Sequence, residues 1–501
     1  MPDPPAPDEA AGDAIVAEVA DDHLTVDEVK SRAIRGTATL GTRSVLVFGL
    51  GLIGNLVLAR LLVPRDFGLV ALGTTIITLV RFVSESGLGA ALIGRTEPPE
   101  RDELQAVLGL QFGVSVAVVV CFTAAAWPFG RDGLVPALML TSLPLSSLRL
   151  PTALVLEREL SYRAIARADV LEAASNYIWA IATVAAGLGV WGLASAAPVR
   201  VLVGTVVLIR LGPLGFVAPR WAWSRLRPIL GFGLRFQAIN AVGAVRDQGL
   251  NAGIAAVGGI STLGVWSLAF RIMQVPVLLY LSLWRVSYPA MSRLLGAGED
   301  PRPVIERTIG VVAVAMAPVL VGIAAVAHAL PPIVGERWSG IVAVLVWGSA
   351  ATMVNAPISV PCEGYLFAAG QVSKVLLAAV VGAVVWLGLA LSLLDPVGPG
   401  AIGLGWFTMA LIEAVMLGWW VARGRGVRVV ASLIRPLTVA VAAGAAGVVV
   451  ATLGDGGVLL GICGVITAEL LLAGGLFAFA GDTLRTALRL SGRALAPGGA
   501  A

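Results

Sequence analysis

Ten polar residues interrupt the apolar stretches of this chain and carry whatever chemistry it performs: Arg43, Arg81, Glu85, Asn240, Arg246, Asp247, Asn251, Arg271, Gln274 and Arg285. Their spacing groups them. Thr74, Thr78, Arg81 and Glu85 fall on one helical face, at i, i+4, i+7 and i+11. Arg271, Gln274, Ser282 and Arg285 form a second stripe, and Gln237, Asn240, Asp247, Gln248 and Asn251 a third. A charge held at mid-bilayer costs roughly 2.5–3.5 kcal/mol, so such groups must face protein or water. Arginine suits a phosphate or diphosphate, because its planar fork donates two parallel hydrogen bonds and stays charged. Stripes of this kind therefore read as the lining of a wet, anion-binding cavity. Each has a structural alternative. Arg81 and Glu85 are one turn apart and can form an internal ion pair. Arg43 and Arg285 lie near the inner face, within snorkelling reach of lipid phosphates. Arg235 and Arg246 lie nearly opposite the third stripe. Either the helix is irregular around Gly243 and Gly249, or Arg246 faces a second helix and pairs with an acid there.

The remaining intramembrane polar groups read as structural. Arg149 and Arg200 stand outside the proposed lining, with Asp169 and Glu172 as candidate inter-helix partners. Glu363, Glu413 and Glu469 are isolated acids that can carry a coupling proton or Na⁺, or simply pair. His328 reads as an interfacial histidine. Cys121, Cys362 and Cys463 lie far apart in apolar runs and read as small buried hydrophobes. No metal site or cofactor is expected. The chain has two lysines, Lys30 and Lys374, and no Walker A sequence, which argues against ATP hydrolysis. A membrane glycosyltransferase needs acidic residues in a sizeable outer loop, whereas the first outer loop here is Val63-Pro-Arg-Asp66. The chain is not expected to be an enzyme.

The elements that hold these residues are membrane spans. Hydrophobic residues make up 57% of the 501, charged residues 13%, and the mean hydropathy is +0.90. Soluble domains run at about 25% charged. The expected fold is all-α, a polytopic helix bundle of fourteen spans at roughly 38–62, 67–93, 104–126, 134–156, 167–188, 190–210, 229–257, 262–289, 304–330, 340–367, 372–394, 400–422, 436–453 and 458–480. Residues 1–36 read as a polar cytoplasmic tail, disordered at first and helical near Val26–Arg35. Residues 37–228 form a first lobe with its linker, 229–428 a second, 429–482 two added spans, and 483–501 a cytoplasmic tail. With both termini inside, most basic residues in the links are cytoplasmic; only Arg60, Arg65, Arg131 and Arg337 fall outside. The net charge of +4 thus reflects topology, and nucleic acid is not an expected partner. Phe67-Gly-Leu-Val-Ala-Leu72 and Leu263-Gly-Val-Trp-Ser-Leu268 each follow a tight outer turn, six spans apart. An even offset keeps direction, so the two six-span lobes would be parallel repeats around a central cavity.

Three stretches carry a family likeness. They are Ala59-Arg-Leu-Leu-Val-Pro-Arg-Asp-Phe-Gly-Leu-Val-Ala-Leu72 with Gly87-Leu-Gly-Ala-Ala-Leu-Ile93, Leu156-Glu-Arg-Glu-Leu-Ser-Tyr-Arg163, and Leu263-Gly-Val-Trp-Ser-Leu-Ala-Phe-Arg271. Over about residues 37–425 the chain resembles the polysaccharide transporter branch of the MOP exporter superfamily, which is related to the lipid II flippases. The resemblance implies a multi-pass protein of the cell membrane. It would flip polyprenyl-(pyro)phosphate-linked oligosaccharide from the cytoplasmic to the outer leaflet by alternating access, for surface polysaccharide biosynthesis. It also implies a cavity lined by spans 1, 2, 7 and 8, contacts with membrane lipids, and a polysaccharide polymerase and glycosyltransferases as candidate partners. Trp266, Tyr280 and Trp284 are candidate sugar contacts. Two alternatives stand beside this: a cation-coupled multidrug antiporter of the same superfamily, and a non-transporting scaffold of a polysaccharide assembly complex.

Overall fold

The computed structural model of the chain describes residues 26–85, 92, 99–159, 161–453 and 457–486, with 26–42, 85 and 227–242 described by backbone alone. The described residues are helical, with no strand among them. Among the described residues eleven helices are long and apolar enough to cross a membrane, or twelve if one bent pair is a single span. Two further helices, at Tyr162–Thr183 and Trp223–Val257, are 22 and 35 residues long but carry more charge. They correspond to two of the fourteen expected spans.

The chain divides into two compact units, Met1–Ala252 and Gly253–Ala501. The first holds α1 (Val26–Leu61), α2 (Pro64–Glu85), α3 (Arg101–Ala126), α4 (Arg131–Leu140), α5 (Ser142–Ser147), α6 (Leu150–Arg158), α7 (Tyr162–Thr183), α8 (Val190–Leu211) and most of α9 (Trp223–Val257). The helix expected at Val26–Arg35 runs into the first span without a break. In this unit α7 packs between α1 and α8, α8 continues onto α4 and α5, and α4 packs on α2 and α3.

Span four, expected as one helix over 134–156, is instead the chain α4–α5–α6, bent by 52° between Ser147 and Leu150. Prolines cause the breaks. Pro144 and Pro151 have no N–H to return to the carbonyls four residues back. Hydroxyls satisfy carbonyls nearby: Thr141 Oγ1 donates to Leu138 O at 2.6 Å, Ser146 Oγ to Leu143 O at 2.8 Å and Ser147 Oγ to Pro144 O at 2.7 Å. Two ion pairs tie the start of α4 to the start of α2. Arg65 donates to Asp132 at 2.7 Å, and Arg131 donates to Asp66.

The second unit contains α10 (Gly259–Gly296), α11 (Arg302–Val326), α12 (Ile341–Ala368), α13 (Val372–Ser392), α14 (Gly400–Arg425), α15 (Val429–Ala451) and α16 (Val458–Phe479). Short turns at Leu330–Val334 and Leu394–Val397 link some of them. α12 is its centre, packed against α10, α11 and α14, and α13 packs on α14. The last two helices pack on each other and on α11. At their crossing the backbones touch: a side chain on Gly447 would meet Gly464 O at 2.7 Å, and one on Gly464 would meet Gly447 O at 2.5 Å. Small residues at such a crossing replace the hydrophobic drive that lipid removes between membrane helices. Of the cysteines only Cys362 is buried; Cys121 and Cys463 are exposed, because they lie on outward faces of α3 and α16. On lipid-facing surfaces apolar residues need no protein around them.

Candidate functional site

In the first unit the charged residues of α1, α6, α7 and α8 are organised by the acids of α7. Glu172 accepts from Arg149 Nη1 at 2.6 Å and stands 3.9 Å from Arg200 Nε. This meets the inter-helix pairing expected for both arginines. Gly204 makes room for it, since a side chain there would lie 2.4 Å from Glu172 Oε2. Asp169, the other candidate, takes Arg43 instead, with Nε 2.7 Å from Oδ2. Above it α1 and α7 meet closely. Asn55 Nδ2 donates to Tyr177 Oη at 3.0 Å and to Gly51 O at 2.6 Å, and a side chain on Gly54 would strike the Tyr177 ring at 2.2 Å.

On α2, Thr74, Thr78 and Arg81 are all exposed, one continuous face of the helix. The threonines bond back to their own helix, to Val70 O and Thr74 O. Thr75, a quarter-turn away, is buried and accepts from Asn251 Nδ2 at 3.2 Å. Asn251 is thus joined to α2 and also reaches Gln248 Oε1 at 3.5 Å. α9 is one unbroken helix through Gly243 and Gly249. Arg246 reaches Asp247, its own neighbour, at 2.7 Å, not an acid on a second helix. The side chains of Glu85, Arg235, Gln237 and Asn240 lie outside the described residues.

In the second unit Arg271 and Gln274 are half-buried on α10, and Ser282 and Arg285 are exposed, while Ile272, Met273 and Pro276 on the other side are buried. No hydrogen bond or ion pair to Arg271 or Arg285 occurs among the described residues. Two of the three isolated acids have partners: Trp284 Nε1 donates to Glu363 at 2.9 Å, and Asn355 Nδ2 to Glu413 at 2.8 Å, whereas Glu469 has no hydrogen bond or ion pair among the described residues. Trp266, read as a candidate sugar contact, is 4% exposed and belongs to the core. Its ring lies 5.9 Å from those of Trp386 and Trp406, in edge-on geometry. Its alternating apolar surroundings in sequence could not distinguish a lining aromatic from a packed one.

Residues 57–343, more than half of the chain, match the family described as "Polysaccharide biosynthesis protein". The chain belongs to that family. The lipopolysaccharide biosynthesis protein WzxC of Escherichia coli (strain K12) is 24% identical over 332 residues, covering 63% of this chain and 66% of WzxC. The succinoglycan biosynthesis transport protein ExoT of Rhizobium meliloti (strain 1021) is 24% identical over 310 residues, covering 58% and 60%. The chain therefore aligns with just under two thirds of these relatives' lengths. Its fold is like that of the lipid II flippase MurJ in an inward closed conformation, with a TM-score of 0.69, 10% identity, and coverage of 89% of this chain and 99% of MurJ. An inward-facing multidrug resistance MATE transporter of the MOP superfamily gives a TM-score of 0.57 at 14% identity, covering 82% and 98%. The all-helical transporter fold of that superfamily, expected from sequence, is the fold of this multi-pass membrane protein.

Proposed function

We propose that this chain is a flippase, not an enzyme, moving polyprenyl-(pyro)phosphate-linked oligosaccharide from the cytoplasmic to the outer leaflet by alternating access of its two lobes. The observation that carries the reading is Arg271. It lies about 12 residues into α10, some 18 Å along the helix. It sits on the face the second unit leaves uncovered, with no ion pair or hydrogen bond among the described residues. Buried charge in a membrane helix is ordinarily matched. An unmatched guanidinium with Gln274, Ser282 and Arg285 along the same stripe is a ladder for a diphosphate headgroup, while the lipid tail stays in the bilayer. Arg81 and Asn251 belong to the same proposed lining, as do Asn240, Arg246 and Asp247. Arg43, held by Asp169, is better placed as a lobe-stabilising residue at its margin. The names of WzxC and ExoT and the MurJ-like fold support the reading, and a polysaccharide polymerase and glycosyltransferases are its natural partners.

The test is Arg271→Ala. The variant should insert and fold normally but lose export, with lipid-linked intermediate accumulating inside the cell. Arg271→Lys should retain only part, because a point charge loses the bidentate fork. Full polysaccharide display by a stably expressed Arg271→Ala protein would remove the residue from the substrate path.

A second reading, a cation-coupled multidrug antiporter, draws on Glu363 and Glu413 with Trp284 beside them. The exposed arginines of α2 and α10 disfavour cationic drugs by like-charge repulsion. Resistance profiling of an overexpressing strain separates the two.

A further inference from the structure

Three arginines outside the proposed substrate path converge on one groove. Its floor is a face of α7, and its walls come from α1 and α8. It has a volume of about 910 Å³ and is lined by Arg43, Arg163, Arg167 and Arg210 together with Leu171 and Val206, among other apolar residues. The arginines share one end. Arg163 lies in the first turn of α7, Arg210 in the last turn of α8, and Arg43 opens the apolar part of α1. The groove therefore sits at a membrane boundary, with its apolar floor running inward to Leu171, about 12 Å from Arg163.

The charges are unbalanced. Arg43 is matched by Asp169. Among the described residues nothing forms a hydrogen bond or ion pair with Arg163, Arg167 or Arg210, and all three are exposed. Leu171 and Val206 are 47% and 44% exposed, so the floor is open as well as apolar. A ligand that fits must bring anionic oxygens to the rim and hydrocarbon to the floor. We propose that this groove holds a resident membrane phospholipid whose headgroup carries two phosphates. Basic pockets between membrane helices are suited to such headgroups. Arg163 and Arg167 are one turn apart, about 6 Å between Cβ atoms. Arg210 lies on the next helix, about 8–10 Å away between axes. Two phosphates bridged by glycerol reach across that spread, each meeting a guanidinium fork. The directly linked phosphates of a diphosphate sit closer together and span less of it, which sets this site apart from cargo. The proposal does not depend on the flippase reading.

Native mass spectrometry of the purified full-length protein tests it, with diphosphatidylglycerol, phosphatidylethanolamine or undecaprenyl diphosphate added at equal concentration. The protein should retain diphosphatidylglycerol preferentially. Arg163→Gln/Arg167→Gln/Arg210→Gln should lower that retention about tenfold or more. Leu171→Trp, which fills the floor and keeps every arginine, should lower it too, and reads the site independently if the triple variant folds poorly. Arg293→Gln/Arg423→Gln/Arg435→Gln removes the same charge elsewhere and should retain lipid normally. Wild-type retention by both the triple variant and Leu171→Trp overturns the site, as does equal retention of phosphatidylethanolamine. Preferential retention of undecaprenyl diphosphate overturns the assignment to a resident phospholipid.

Discussion

Glu172 shows how one carboxylate can serve two guanidinium groups within a membrane lobe. Its contact with Arg149 is short and mostly buried, at 20% and 13% side-chain exposure, while Arg200 is longer and half-exposed. The two arginines should therefore behave differently. Breaking a buried pair from one side costs about 3–5 kcal/mol, because the remaining charge is stranded. Arg149→Ala should lower the thermal midpoint of the purified protein markedly, while Arg200→Lys leaves it within experimental scatter. Equal effects from the two would mean that Glu172 does not discriminate between them. These pairings were legible in sequence, since a charge in an apolar span must find an opposite one and α7 offered two. Which acid took which arginine was not legible. Gly204, whose missing side chain admits the Glu172 carboxylate, was invisible too, because a glycine in a span has many reasons to be there.

At the level of elements, the apolar stretches announced the helices, and their ends shifted mainly where polar residues extend a helix past the hydrocarbon, as in α9 and α10. Span four was misread because apolar content says nothing of continuity, although Pro144 and Pro151 held the information. Close approach between helices was also beyond a single sequence. Gly447 and Gly464 look like the many other glycines until their backbones are seen in contact. Gly464→Leu should force α15 and α16 apart. Overpacking of this kind typically costs about 1–3 kcal/mol. The expected outcome is earlier proteolysis after residue 428, with the rest of the second unit intact. Unchanged protease resistance would show that the crossing yields easily.

For the whole molecule, the arrangement of basic residues makes a testable statement about sidedness. Glu299 lies in the exposed link between α10 and α11, and Ser339 in the exposed turn before α12. With the termini inside, Ser339→Cys should gain labelling by a membrane-impermeant maleimide in intact cells, over the level given by the native cysteines. Glu299→Cys should gain it only after permeabilisation. The reverse pattern would invert the orientation and place the Arg163–Arg167–Arg210 groove in the outer leaflet.

The length of α10 has a mechanical consequence. Its 38 residues span about 57 Å, well beyond the ~30 Å of hydrocarbon. Pro276 interrupts its hydrogen-bond ladder near the middle. From there to Gly296 is an arm of about 30 Å, so a 10° change of bend at the proline carries the far tip some 5 Å. Arg285 rides on that arm, whereas Arg271 sits on the other side of the fulcrum. Small adjustments at one proline thereby swing Arg285 sideways relative to Arg271 by about 2 Å. Spin labels replacing Arg293 on this arm and Val415 on α14, both exposed, should report a broad distance distribution that narrows in Pro276→Ala, and an equally narrow distribution in the native protein would mean that the helix moves as a rigid rod.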